Sequence, residues 1–165
     1  MLPVIVDPSK VKIGLAGAGE ALARRRAHLI DAGANPVEIR PEDRDALSGL
    51  SILYVAGLGR DASEALAGRA RALGVLVNVE DDLPLCDFHV PATVRRGDLL
   101  LTVSSAGRSP GLVRLVREWL GEQFGAEWSD RVAEIGSKRE DWRASGLSPA
   151  EISTKTRALA QWWFG

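Results

Sequence analysis

Through residue 79 the chain alternates short apolar runs with stretches of helical periodicity, and few architectures accept that alternation. Lys12–Ala16 (KIGLA) is strand-like and leads into Gly17-Ala18-Gly19. From Glu20 to Ala32 the pattern is helical, with Leu22, Leu29 and Ile30 on one face and Arg24, Arg25 and Arg26 among the exposed positions. Gly33 stops that helix. Pro36–Ile39 and Ile52–Ala56 are further strands, Ala62–Leu73 is a helix ending at Gly74, and Gly74–Val79 is a fourth strand. Strand and helix in turn predict an α/β fold: a Rossmann-like parallel sheet with helices on both faces.

After Pro91 the character changes. Leu99–Val103 reads as a strand, and Pro110 opens an amphipathic helix carrying Leu112, Val113, Leu115, Val116 and Leu120. Residues 125–165 hold four of the five tryptophans and a helix start at Ser148-Pro149-Ala150-Glu151. The division expected is a dinucleotide-type domain over 1–90, a segment over 91–123 and a small C-terminal helical part over 124–165. The tryptophans are expected to pack that last part and a contact between subunits.

At 165 residues, 45% apolar and 26% charged with a net charge of −1, the chain has no bulk attraction for nucleic acid or anionic membrane. No apolar run approaches a membrane span of roughly 18 residues, and MLPVIVDPSK lacks the basic and apolar regions of a signal peptide. The single Cys86 excludes an intramolecular disulfide and a Cys-based zinc site, and with only His28 and His89 a histidine-rich metal site is not expected. A cytoplasmic setting fits.

Two segments carry chemistry. In GAGEAL, Gly17 allows a tight turn and Gly19 lets a pyrophosphate approach the backbone, where free N–H groups and the helix dipole favour negative charge. Leu22 occupies the third small position of that fingerprint, where bulk can spoil helix–sheet packing. Glu38 lies at the spacing of a ribose-binding acid, whereas Arg40, closer to the strand end, would suit a 2′-phosphate, which leaves NAD and NADP both open. The second segment, Asn78–Pro110, begins as a strand ending in Glu80, Asp81 and Asp82 and finishes in a polar loop, Ser104–Pro110. Ligands of open α/β sheets bind beyond the carboxyl ends of the strands, so a carboxylate there is placed for chemistry. Asp81 is the candidate, and crowding by Glu80 and Asp82 would make it a stronger base.

Taken together, LPVIVD at residues 2–7, GAGEALARRRAHLIDAGA at 17–34, and NVEDDLPLCDFHVPA followed by RRGDLLLTVSSAGRSP resemble the N-terminal module of siroheme synthase and the stand-alone precorrin-2 dehydrogenases. The likeness covers roughly residues 1–120. It implies an NAD-binding Rossmann domain, a dimerisation segment and a small helical domain. The activity implied is NAD-dependent oxidation of precorrin-2 to sirohydrochlorin, with ferrous iron insertion added in some members. By the same resemblance Asp81 is the catalytic aspartate, and the dinucleotide contacts fall on Gly17, Gly19, Glu20, Ala21, Pro41 and Glu42. A homodimer is implied as well.

Precorrin-2 is a polycarboxylate, so its site needs cations and N–H or O–H donors. Arg95, Arg96, Arg108, Arg114 and Arg117 fall in residues 88–117. Of these, Arg108 in the polar loop is the substrate candidate, with Ser104, Ser105, Gly107 and His89; Arg114 and Arg117 read as a solvated helix face. Ser109-Pro110 is expected to cap the following helix, and Cys86 to be a small buried side chain. Two other classes compete: a tetrapyrrole- or nucleotide-binding protein that has lost catalysis, motivated by Leu22 and Gly57-Leu58-Gly59-Arg60, and an unrelated NAD-binding regulatory domain.

Overall fold

The computed structural model describes residues 1–43 and 45–164, in two units, Met1–Val90 and Pro91–Gly165. The apolar runs of the first unit become four strands: β1 (Ile13–Gly17), β2 (Val37–Glu38), β3 (Ile52–Ala56) and β4 (Leu76–Val79). They form one sheet in the order β2-β1-β3-β4, every pair parallel. Helix α1 (Gly19–Asp31) follows β1, and α2 (Arg60–Ala72) joins β3 to β4.

Strand alternation sends side chains to both faces. Ile13, Leu15 and Ile52 meet Leu29 of α1 in one buried cluster. Ala16, Leu53, Val55, Val77 and Val79 meet Leu66, Ala67 and Ala70 of α2 in the other. The expected doubly covered parallel sheet is therefore present. Among the described residues no long helix links β2 to β3; a short 3-10 turn, Asp45–Leu47, supplies Leu47 to the second cluster instead. Gly14 makes room for Leu50, whose Cδ1 would lie 2.5 Å from any Cβ there.

Two expectations for α1 are corrected. Ile30 is exposed, because the helix buries a narrow stripe through Leu29. Arg25 is not a solvated residue: its side chain is only 12% exposed and faces Glu80.

The second unit opens with a hairpin whose first strand the sequence reading missed. Strands β5 (Ala92–Arg96) and β6 (Leu99–Val103) pair antiparallel from Ala92↔Val103 to Arg96↔Leu99. The two-residue connection begins with Gly97 at φ +56°, the sign that primed hairpin turns need at their first central position. Polar Thr93, Arg95 and Arg96 disguise β5 as a loop. Helices α3 (Pro110–Gln123), α4 (Trp128–Ala144) and α5 (Pro149–Ala160) follow. Ser148 and Glu151 form a reciprocal capping box at the start of α5, as their spacing predicts.

Trp128 is the aromatic centre of this unit, with Phe124 at 4.9 Å, Phe164 at 5.3 Å and Trp163 at 5.9 Å between ring centroids. The tryptophans are not uniformly packed, since Trp119 is 56% and Trp162 81% exposed. No helix among the described residues is long and apolar enough to cross a membrane.

Candidate active site

Strand order reverses between β1 and β3, so their carboxyl ends open the crevice where α/β sheets take ligands. Backbone closeness defines it. Ala18 donates its N–H to the Ala56 carbonyl at 3.1 Å. Gly17 has φ +153°, and a Cβ on it would run into the Ala56 carbonyl. Gly57, at φ +73°, likewise has no room for a side chain because of the Ala18 carbonyl. The β3–α2 turn, singled out in the sequence as unusual, is thus a partner of the glycine loop. The sign of this was legible only as two extra glycines.

Gly19, at φ +64°, has open space around it, and Ala18, Gly19 and Glu20 are exposed. No side chain among the described residues caps α1, so its first amide groups are left for a ligand. A glycine cradle that any Cβ would fill, beside an uncapped helix N-terminus, fits the pyrophosphate of a dinucleotide. Leu22 does not obstruct this. It packs against the cluster of Ile13, Leu15, Leu29 and Ile52, which removes one motive for the non-catalytic reading.

Pro41 and Glu42 follow the short β2, and the Pro41 carbonyl accepts a bond from the Arg69 guanidinium of α2. Glu38 is not free for a ribose: it is paired with Arg26. Glu42 and Arg40 are both exposed.

The β4 end explains the Asn-Val-Glu-Asp and Cys-Asp-Phe blocks together. Asp87 bonds both backbone groups of Val77, its N–H reaching the Val77 carbonyl at 2.8 Å and its side-chain Oδ2 accepting the Val77 N–H at 2.8 Å. Asn78 is buried and donates from Nδ2 to the Phe88 carbonyl at 2.9 Å. The Cys86 thiol accepts from the Val79 N–H at 3.2 Å and donates to the Val79 carbonyl at 3.1 Å. Residues 86–88 therefore satisfy the outer edge of β4, which would otherwise present unpaired groups to solvent. Phe88 closes the arrangement, its ring edge-on to Tyr54 at 5.5 Å.

Cys86 is half-buried rather than fully buried. Burial raises its thiol above the usual range, the Val79 bond opposes this, and nearby Asp82 and Asp87 add to the rise. The neutral thiol is the form the Val79 carbonyl requires. Alkylation by iodoacetamide at pH 8 is expected to be several-fold slower than for free cysteine, with the rate climbing as pH rises further. A rate equal to that of free cysteine would mean that the thiol is not held in this way.

What remains outside this scaffold is Asp81. The Val79 carbonyl accepts from the Asp82 N–H at 3.4 Å, which places Glu80 and Asp81 at the centre of a turn. Asp81 has φ +62°, a left-handed conformation that aspartate adopts more readily than most non-glycine residues, and it is exposed. The expected crowding by its neighbours is not found. Glu80 faces Arg25 at 3.7 Å and Arg24 at 3.8 Å, and Asp82 pairs with Arg60 at 2.8 Å. Both flanking acids are drawn to cations on α1 and α2, leaving Asp81 as the outward carboxylate.

The Ser-rich loop belongs to the second unit. Ser104 Oγ accepts from the Ala106 N–H at 3.2 Å, and Ser105 Oγ accepts from the Ser109 N–H at 2.9 Å. Ala106 at φ +54° and Gly107 at φ +80° complete a tight left-handed corner. Both hydroxyl oxygens accept, so both O–H groups stay available to donate. Ser109 is the N-cap residue before Pro110, yet its own side chain makes no cap bond; its N–H is held by Ser105 Oγ.

Of the five arginines, Arg96 is structural, donating to the Phe124 and Gly121 carbonyls at the end of α3. Arg114 and Arg117 both face Glu118. Arg108 and Arg95 are exposed and have no carboxylate within ion-pair distance among the described residues. His89 is half-buried.

A parallel sheet with a glycine crevice and a strand-end carboxylate defines a dinucleotide-binding α/β protein. Residues 4–92 match the family described as "Putative NAD(P)-binding", and the chain belongs to that family. Curated relatives include the siroheme synthase of Tolumonas auensis, 27% identical over 98% of this chain and 42% of the relative, and that of Methylococcus capsulatus, 31% identical over 95% and 41%. The chain thus spans well under half of these relatives. A solved structure named "SirC, precorrin-2 dehydrogenase" superposes with a TM-score of 0.80 at 17% identity, over 100% of this chain and 93% of that one. The resemblance to the siroheme synthase module is borne out, and the fold is shared along the whole chain.

Proposed function

We propose that the chain is an NAD-dependent precorrin-2 dehydrogenase of siroheme biosynthesis, producing sirohydrochlorin. The observation that carries the catalytic reading is Asp81: an exposed carboxylate on a left-handed turn at the end of β4, flanked by acids already paired with arginines. The named relatives and the SirC likeness support the substrate class. Dehydrogenation removes a hydride and a proton. When bound, NAD supplies the hydride acceptor. Gly17, Gly19, Glu20 and Ala21 would hold its pyrophosphate and Pro41 with Glu42 its ribose, while Asp81 accepts the proton. Ser104, Ser105, Gly107 and Arg108 would offer donors and positive charge to the carboxylates of the tetrapyrrole, and His89 a further polar contact.

The test is incubation of purified protein with precorrin-2 and NAD, followed by the absorbance of sirohydrochlorin. Turnover is expected, with kcat/KM higher for NAD than for NADP. Absence of turnover alongside tight sirohydrochlorin binding would favour the non-catalytic reading. A preference for NADP would transfer the ribose role from Glu42 to Arg40. Added ferrous iron, as substrate, reads out the insertion step that some relatives perform.

Residues 91–123 are assigned to dimerisation. Leu112, Leu115 and Trp119, spaced as one stripe of α3, are each more than half exposed, and this supports an isologous contact. Light scattering at micromolar concentration is expected to give twice the monomer mass; a monomer would sink this assignment.

A further inference from the structure

In the turn Gly57-Leu58-Gly59-Arg60 the glycine crevice accounts for Gly57 alone. Leu58 packs against the buried cluster beneath α2. Gly59 is the N-cap of that helix, its carbonyl accepting the Ser63 N–H at 3.0 Å. Arg60 therefore starts from a fixed backbone at the first position of α2. A cation there works against the helix, whose dipole favours carboxylates in the first turn. What Arg60 reaches explains its place: Nη1 donates to Asp82 Oδ2 at 2.8 Å, across to the end of β4.

Asp82 is equally out of place by local rules. It is the N-cap of the 3-10 turn Leu83–Leu85, where an aspartate ordinarily accepts an amide of the turn, yet its side chain makes no cap bond. The carboxylate, 16% exposed, is committed to Arg60 instead. The backbone of Asp82 closes the Asp81 turn, its N–H on the Val79 carbonyl, and its own carbonyl accepts the Leu85 N–H at 3.0 Å. Arg60 is thus the side-chain tie between α2 and the residue on which the Asp81 turn closes. The guanidinium is 61% exposed, and an ion pair so open to water adds little to global stability. Its effect is local: without the cation, the Asp82 carboxylate loses its partner beside the Asp81 charge, and the turn that carries both loosens.

We infer that Arg60 is a positioning residue for Asp81, acting through Asp82, a role that rests on Asp81 being the proton acceptor. With precorrin-2 and NAD, Arg60→Ala is expected to lower kcat about tenfold while KM for both stays within about twofold of the parent, as misplacement of a reacting group does. Arg60→Lys should restore most of the rate, since the contact to replace is one bond from one nitrogen. Asp82→Ala should cost as much as Arg60→Ala, and the double variant no more than either, because each breaks the same contact. Hydrogen exchange over residues 79–86, which include the bonded amides of Asp82 and Leu85, gives a readout apart from turnover. It should quicken several-fold in Arg60→Ala and return to the parent rate in Arg60→Lys, with the thermal midpoint unmoved. Parent kcat or unchanged exchange in Arg60→Ala overturns the proposal. So does a raised KM for precorrin-2 at parent kcat, which would make Arg60 a substrate contact. Asp81→Asn at the parent rate would remove the roles of Asp81 and Arg60 together; loss in Asp81→Asn without loss in Arg60→Ala would remove that of Arg60 alone.

Discussion

Asp81→Asn is expected to fold normally and to bind dinucleotide as the parent does, while oxidation of precorrin-2 falls by about 10³-fold, the usual weight of a positioned general base. Asparagine is the control of choice because it matches aspartate in size and tolerates the left-handed backbone found there, φ +62°. Only proton acceptance is removed. Asp81→Gly provides the complementary measurement. Glycine takes the left-handed backbone freely but adds freedom to the unfolded chain, so the midpoint of thermal unfolding should change little while turnover stays lost. Lost activity with stability little changed marks a residue kept for its chemistry rather than for the turn. If Asp81→Asn turned over precorrin-2 at the parent rate, Asp81 would be a turn residue and the proton acceptor would lie elsewhere.

Much of this was legible in the chain itself, for reasons that differ from element to element. Ile52–Ala56 is a strand in sequence and structure alike, because a central parallel strand buries both faces and reads as an unbroken apolar run. The β5 strand escaped because a hairpin exposed on one face needs few apolar residues: only Val94 of its five positions is buried. Asp81 could be singled out from its position after a strand. The fate of its neighbours could not, since nothing local pairs Glu80 with α1 or Asp82 with Arg60 across a span of 22 residues. The same holds for Cys86-Asp87-Phe88. Their spacing identified a family block, whereas their work, covering the edge of β4, depends on a chain reversal that spacing alone does not specify. Arg25 is the clearest case of a helix position whose class is decided by what packs on it. Three consecutive arginines look equivalent in sequence, yet Arg25 is 12% exposed where Arg24 is 59%.

That difference yields the largest expected effect on stability. Arg25 lies 3.7 Å from Glu80, and its guanidinium sits 5.4 Å from the Tyr54 ring centre. Arg25 Nε and Glu80 Oε2 are buried with no hydrogen-bond partner among the described residues, so Arg25 depends on Glu80 for compensation, and Glu80 on Arg25 and the exposed Arg24. Arg25→Met keeps the apolar stem and deletes the charge. It leaves Glu80, 18% exposed, with Arg24 alone, at nearly the same distance but 59% exposed and so screened by water. Breaking one side of such a pair costs about 3 kcal/mol, which in a chain of this size lowers the unfolding midpoint by roughly 6–12 °C. Arg25→Met/Glu80→Met should regain most of the loss, because an apolar pair of similar volume can replace a buried ion pair at little net cost. The cycle of single and double variants measures the coupling directly. A double variant no more stable than Arg25→Met would show that the two side chains are not energetically joined. If they are, the consequence reaches the chemistry. Arg25 belongs to the helix that the glycine loop opens, and Glu80 immediately precedes Asp81, so this one contact sets the Asp81 turn against the glycine loop.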